Sequence, residues 1–194
     1  MSGFPTGTVV DVEEISDQIW QLLKAIDYQG NQDLFQVPIG QHTDFASVPR
    51  VFVWLLPRYG RYTKAAILHD YLWKVAVPHG MSRLDADGLF RQSMRELGVP
   101  FLRRWMMWAA VRWAALFKQD GRREWWREAL RVLIVTIITM PIVLLPFFPI
   151  LLSLLIFHLM EWIAWVPLKL AESGRKKRHL PAKKVNTPSF SWSL

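Results

Sequence analysis

Apolar and polar positions change their period along this chain, and each change predicts a different kind of element. Up to about residue 40 the pattern is short and β-like. Thr8-Val9-Val10 starts a strand, and Ile19 to Tyr28 is a longer apolar-rich stretch. Gln29-Gly30-Asn31-Gln32 supplies turn residues, and Leu34-Phe35-Gln36-Val37 resumes a strand before Pro38. This predicts a small amino-terminal antiparallel sheet of roughly three strands. Ile19, Leu22, Leu23 and Ile26 also fit a 3.6-residue period, so a helix is the other reading of that stretch.

Past Gln41 the period lengthens. Thr43 to Pro49 is a polar loop, and a helical turn follows around Val51–Leu55. Thr63 is placed to cap a helix from Lys64 to about Val77, which Pro78-His79-Gly80 breaks. Ser82, with Asp85 three residues on, resembles a capping box opening a second helix that runs to Leu97. Gly98-Val99-Pro100 stops it, and a third helix is expected from Phe101 to Phe117. Trp105, Trp108 and Trp113 alternate there with Arg103, Arg104 and Arg112. That mixture suits either a core helix with arginines reaching outward or a helix lying at headgroup level.

From Val132 to Leu168 the only charged side chain is Glu161. These 37 residues would make one helix of roughly 55 Å, against a hydrocarbon core of about 30 Å. Pro141, Pro146 and Pro149 cluster in the first half, so two arms over 130–145 and 150–170 are expected, forming a membrane helical hairpin across residues 132–170. A shallow re-entrant hairpin is the variant of that expectation.

Charge sharpens the division. Residues 1–98 carry 9 Lys and Arg against 11 Asp and Glu, whereas residues 99–194 carry 15 against 5. The basic half is also the greasy half, which favours anionic lipid headgroups over nucleic acid as the partner. Arg122, Arg123, Arg127 and Arg131 precede the apolar run; Lys169, Arg175, Lys176, Lys177 and Arg178 follow it. Basic flanks on both sides place both termini and the folded domain on the cytoplasmic side of an inner membrane. The expected units are an α+β domain over 1–118, a basic linker helix over 119–131, the hairpin, and a basic disordered tail over 171–194. Cysteine is absent, which excludes disulfides and thiolate metal sites. The first fifteen residues contain no Lys or Arg and no apolar core of a signal peptide.

Chemistry concentrates where a His-Asp dipeptide interrupts an apolar helix, Ala66-Ile67-Leu68-His69-Asp70-Tyr71-Leu72. An unpaired buried carboxylate is expensive, so the pair needs partners or a task. His69 lies nine residues before Pro78 and Asp87 nine after it, so an antiparallel helix pair brings them level. Asp87 also sits on the apolar stripe of Leu84, Phe90 and Met94, whereas Asp85 is explained by its place in the first turn. A carboxylate on one ring nitrogen fixes the tautomer and leaves the other nitrogen free to accept a proton. Asp44, on the preceding loop, could share a calcium ion with Asp70 if loop carbonyls complete the shell. A His-Asp bond that only stabilises the core, and an Asp44 that only shapes its loop, are the alternatives.

The blocks Thr43-Asp44-Phe45-Ala46-Ser47-Val48-Pro49-Arg50 and Ala65 to Trp73 resemble hallmarks of a bacterial and phage family, domain of unknown function 1353. So do Arg83 with Ala86-Asp87 and Phe90, and Met106 to Arg112, and the likeness covers about residues 8–118. That family brings no established activity. A more distant similarity is to secreted phospholipases of the A2 class, in which a helical His-Asp pair is followed by an aromatic residue. That resemblance implies His69 as general base, Asp87 as its orienting partner, and Asp44 and Asp70 as calcium ligands, with Tyr71 or Trp73 as aromatic neighbours. The disulfides and Gly-rich calcium loop of those enzymes are missing, and Gly40 is the only nearby glycine.

The expected fold is therefore α+β, with a small antiparallel sheet, a three-helix core containing an antiparallel pair, and a carboxy-terminal membrane hairpin. The expected function is a membrane-anchored, metal-dependent acyl-ester hydrolase of phospholipase A2-like type. The alternatives are a non-enzymatic membrane adaptor and a metal-assisted hydrolase of a cell-wall precursor.

Overall fold

The computed structural model describes residues 2–31, 33–46, 48–75, 80–177 and 184–188, with the side chains of 120 and 175–177 left out. Its elements are β1 (Val12–Ser16), β2 (Ile19–Leu22), β3 (Ile26–Gln29), β4 (Leu34–Val37) and β5 (His42–Thr43), then a single 3₁₀ turn (Arg50–Phe52). The helices are α1 (Thr63–Val75), α2 (Arg83–Glu96), α3 (Phe101–Ala115), α4 (Gln119–Trp125) and α5 (Ala129–Lys177). The class is mixed α+β, as the pattern predicts.

The strands form two small antiparallel sheets instead of one, in the orders β1-β2-β5 and β3-β4. The long stretch Ile19 to Tyr28 is split between them, because Leu23-Lys24-Ala25 leaves strand geometry. A helix is thereby ruled out there. The first strand starts at Val12, later than Thr8; it pairs Val12 with Leu22 and Glu13 with Gln21. In β3, Ile26 and Tyr28 are fully buried while Gln29 faces out, the two-residue alternation of a half-buried strand.

That inward face meets the helices. Leu22, Ile26, Tyr28 and Val37 pack with Ile67, Leu68 and Leu72 of α1 and Ala86 of α2. A second cluster joins Ala65 and Ala66 to Phe90 and Met94 of α2 and Met107 of α3. Arg83 reaches the Trp73 carbonyl, Asp87 reaches His69, and Met94 shares a cluster with Ala65 and Ala66. Such a descending series defines the expected antiparallel pair of α1 and α2. The expected end of α1 near Val77 and the turn at Pro78-His79 lie outside the described residues.

Local chemistry explains most helix boundaries. Ser82 accepts from the Asp85 amide at 3.0 Å and donates to the Asp85 carboxylate at 2.7 Å, so the N-cap forms, with Asp85 bonded to the Ser82 hydroxyl in place of the backbone N–H of a full capping box. The Thr63 hydroxyl instead exchanges hydrogen bonds with the backbone of Gly60, both at 2.8 Å, and Thr63 is the first residue of α1 rather than its cap.

A third cluster draws later elements onto the domain. Trp108 and Ala109 of α3, Trp125 of α4 and Val132 of α5 are buried together, and Glu124 accepts from the Leu84 amide at 3.0 Å. Trp113 donates to Thr136 at 2.9 Å, and the rings of Phe52 and Phe147 lie 6.1 Å apart.

The expected hairpin is replaced by one continuous helix of 49 residues that runs through Pro141, Pro146, Pro149 and Pro167. Proline suits a turn as well as a helix kink, but Pro146-Phe147-Phe148-Pro149 has no Gly, Asn, Asp or Ser beside it to favour a reversal. By length and composition this helix could cross a membrane, and its most apolar window has no share buried in the protein. Of the expected disordered tail over 171–194, residues 171–177 belong to α5, and the Val185 amide donates to Glu172 at 3.1 Å. Residues 178–183 and 189–194 fall outside the described residues.

Candidate functional site

Asp87 is the centre of a buried polar node. Its position on the apolar stripe of α2 turns it inward, and it is fully buried. One carboxylate oxygen accepts from His69 Nε2 at 2.7 Å and Trp73 Nε1 at 3.0 Å; the other accepts from Arg112 Nη1 at 2.9 Å. Three donors from α1 and α3 thus meet one acceptor on α2. A carboxylate that only accepts obliges the facing ring nitrogen to carry a proton, so the neutral tautomer of His69 that fits has its N–H at Nε2 and its lone pair at Nδ1. Among the described residues no hydrogen bond engages Nδ1. The ring packs 4.7 Å from that of Phe90, and its side chain keeps 11% of its surface exposed.

Arg112 is fully buried, so the Asp87 charge is already matched within the protein. Its Nε and Nη2 have no protein partner among the described residues. Trp73 is in turn fixed by Arg83, whose guanidinium lies 4.1 Å from the ring centroid.

The second pair of expected residues lies elsewhere. Asp44 and Asp70 line an open cleft of about 430 Å³ with Thr43, His42, Lys74 and the β1–β2 turn. Thr43 donates to Asp70 at 3.2 Å and accepts from the Phe45 amide at 2.9 Å. Phe45 is the non-glycine residue held at positive φ, +64°, a costly conformation that this side-chain bond and the Trp20 ring, 4.9 Å away, support. Burial, and then the charge of Asp44, push the Asp70 carboxyl up to about 6; His69, Thr43 and Lys74 act against that rise. Lys74 itself donates to the His42 carbonyl at 3.3 Å.

The four expected residues therefore divide into a node and a cleft. His69 and Asp87 meet directly, and Asp44 and Asp70 share an acidic cleft that neither His69 nor Asp87 lines. Two carboxylates and a hydroxyl are oxygen donors of the kind a hard cation takes, and a carboxylate raised by burial and a like-charged neighbour, as Asp70 is, is a setting a cation relieves. His42 also lines the cleft, but among the described residues no three His, Asp or Glu side chains are grouped so as to hold a metal ion. Of the two aromatic candidates, Trp73 joins the node, while Tyr71 lines a separate groove with Leu34 and Leu89.

Arg112 was not singled out from the sequence, yet a signal exists. It falls on the buried stripe of α3 with Trp108, Ala109 and Ala115, the same anomaly that exposed Asp87. Trp73 is likewise four residues after His69, on one helix face.

Strands in two small sheets, three packed helices and a long apolar helix define the class as α+β with one candidate membrane segment. Within that frame, residues 20–111 match the model of a family described as a protein of unknown function (DUF1353), which supports the resemblance seen in the motifs. The match spans β2 through nearly all of α3, and so takes in His69, Asp70, Asp87 and Asp44. No curated protein and no solved structure matches the chain.

Proposed function

We propose that this chain is a membrane-tethered acyl-ester hydrolase with His69 as its general base. The observation that carries the reading is the orientation of His69: Nε2 is bonded to Asp87 and Nδ1 makes no hydrogen bond among the described residues. In the proposed reaction Nδ1 takes a proton from water while the water oxygen bonds to the ester carbonyl carbon. The carbonyl oxygen carries the charge until the carbon–alkoxide bond breaks, and the imidazolium returns its proton to the leaving alcohol. Asp44 and Asp70, in the neighbouring cleft, are the residues that would hold a calcium ion, whose positive charge would favour an anionic substrate there.

The tether is α5. Its first turns pack on the domain through Val132, Thr136 and Phe147, which leaves residues 148–170 for a crossing of about 35 Å, close to the hydrocarbon thickness. Trp113, Phe117 and Trp126 are exposed near that end of the domain and suit an interfacial belt. Arg122, Arg123, Arg127 and Arg131 favour the domain on the cytoplasmic side, in contact with anionic headgroups. With α5 continuous and no hairpin, a single crossing puts the two termini on opposite sides of the bilayer.

A second reading, a non-enzymatic membrane adaptor, is favoured by Arg112: a buried ion pair tying α2 to α3, with His69 and Trp73 completing it, serves stability without catalysis. Fatty-acid release from phospholipid vesicles, measured with calcium and then with chelator, separates the two. His69→Gln keeps hydrogen bonding but cannot accept the proton, so release should fall by about a hundred- to ten-thousand-fold with little change in melting temperature. Asp87→Asn is a poorer probe, because it strands the Arg112 charge and should cost roughly 3–5 kcal/mol of stability. No release from the wild type under either condition, with a large melting loss in His69→Gln, would make the adaptor the better reading.

A further inference from the structure

Away from both the node and the cleft, the junction of α2 and α3 holds a cavity of about 240 Å³ lined by Arg91, Gln92, Arg95, Arg104, Phe101 and Trp105, with Gly88 at its wall. Three guanidinium groups gather there, and no carboxylate is among the lining residues. Two are held by aromatic faces rather than by acids: Arg91 sits 4.2 Å from the Trp105 ring centroid and Arg104 5.2 Å from that of Phe101. The Nε of Arg91 is buried with no protein partner among the described residues. Cations prepositioned on rings, with unused N–H donors, form a binding fork and not a salt-bridge network.

The surroundings point the same way. Phe101, Arg104 and Trp105 form the first turn of α3, which begins at Pro100 with no side-chain cap and no acidic residue in that turn. The positive end of the helix dipole thus faces the same region. Burial, and then the charge of Arg131, depress the Arg91 pKa, with Glu128 opposing. Arg131 and Glu128 flank the start of α5, so the cavity lies where the chain turns apolar.

We propose that Arg91, Arg95 and Arg104 form a binding site for a phosphate-bearing anion beside the foot of α5. Planar guanidinium forks match phosphate oxygens two at a time, and the aromatic floor excludes water from one side. The group could arrive as a phospholipid headgroup or as a free phosphate. The site stands independently of either reading of His69.

The test uses full-length protein in neutral detergent micelles, titrated calorimetrically with inorganic phosphate and, separately, with dihexanoyl phosphatidylglycerol. Saturable binding of one equivalent is expected. Arg95→Gln removes an exposed arginine and should weaken it roughly ten- to hundred-fold. Gly88→Leu keeps every charge; a Cβ there meets nothing within 4 Å, so the longer side chain should plug the cavity while the melting temperature holds. Equal affinity for both probes supports the site with phosphate alone as the determinant. Binding of the lipid only supports it with a headgroup as the ligand. Absence of saturable binding of either, or unchanged affinity in both variants, overturns it.

Discussion

Asp87 and Asp70 are carboxylates serving the same histidine-bearing helix, yet their surroundings make opposite demands. Asp87 has three donors, one a guanidinium, which satisfy its carboxylate in complete burial. Asp70 has a hydroxyl donor and a like-charged neighbour, Asp44, so its anion is strained. Its folded pKa of about 6 lies above the ordinary 3.8, so the folded protein binds the proton more tightly. Stability from this group is therefore full below pH 4 and is lost as pH rises through 6. Asp70→Asn should melt higher than the wild type at pH 7.5, by on the order of 2–3 kcal/mol, and show no gain at pH 3.5. Thermal melts across that range decide it; a variant no more stable at neutral pH would show that the Asp70 charge is not strained. Calcium should narrow the same gap if the cleft holds a cation, because a bound cation relieves the wild type and not the variant.

At the scale of elements, α5 determines where the rest of the molecule works. Four prolines in one helix each remove a backbone donor, yet the helix continues through all of them. A continuous crossing puts its two ends on opposite sides of a bilayer, whereas a hairpin puts them together. The chain has no cysteine, so single-cysteine variants report cleanly. In inside-out vesicles a membrane-impermeant maleimide should label Thr6→Cys and leave Ser173→Cys unlabelled until the vesicles are opened. Labelling of both before opening would restore the hairpin.

The whole molecule is less divisible than its charge pattern suggests. Val132 belongs to α5 yet is fully buried against Trp108, Ala109 and Trp125. A fragment ending at residue 129 should leave the membrane fraction, because it lacks the apolar helix. It should also melt below a fragment ending at residue 140, since removing one buried valine costs roughly 1.5–3 kcal/mol. Denaturant melts of the two fragments, in detergent, check this; equal stability would mean that the sheets and α1–α3 close their core without α5.

Sequence by itself determined what depends on short range. The helices α1 to α3, the Ser82 cap, the antiparallel meeting of His69 with Asp87 and the apolar run beyond Val132 were legible, because period, capping chemistry and spacing from one turn settle them locally. Tertiary structure alone decided what depends on partners far apart in the chain. Splitting Ile19–Tyr28 between two sheets required β5 and β4 as separate partners, and neither pairing shows in a local alternation. Arg112 looked like one of several arginines on a helix rich in tryptophan until α3 docked and left Asp87 as its counterion, 25 residues away. The separation of the Asp44–Asp70 cleft from the His69–Asp87 node is of the same kind: adjacent residues on a helix point about 100° apart, and only packing chooses which side becomes core and which stays open to water.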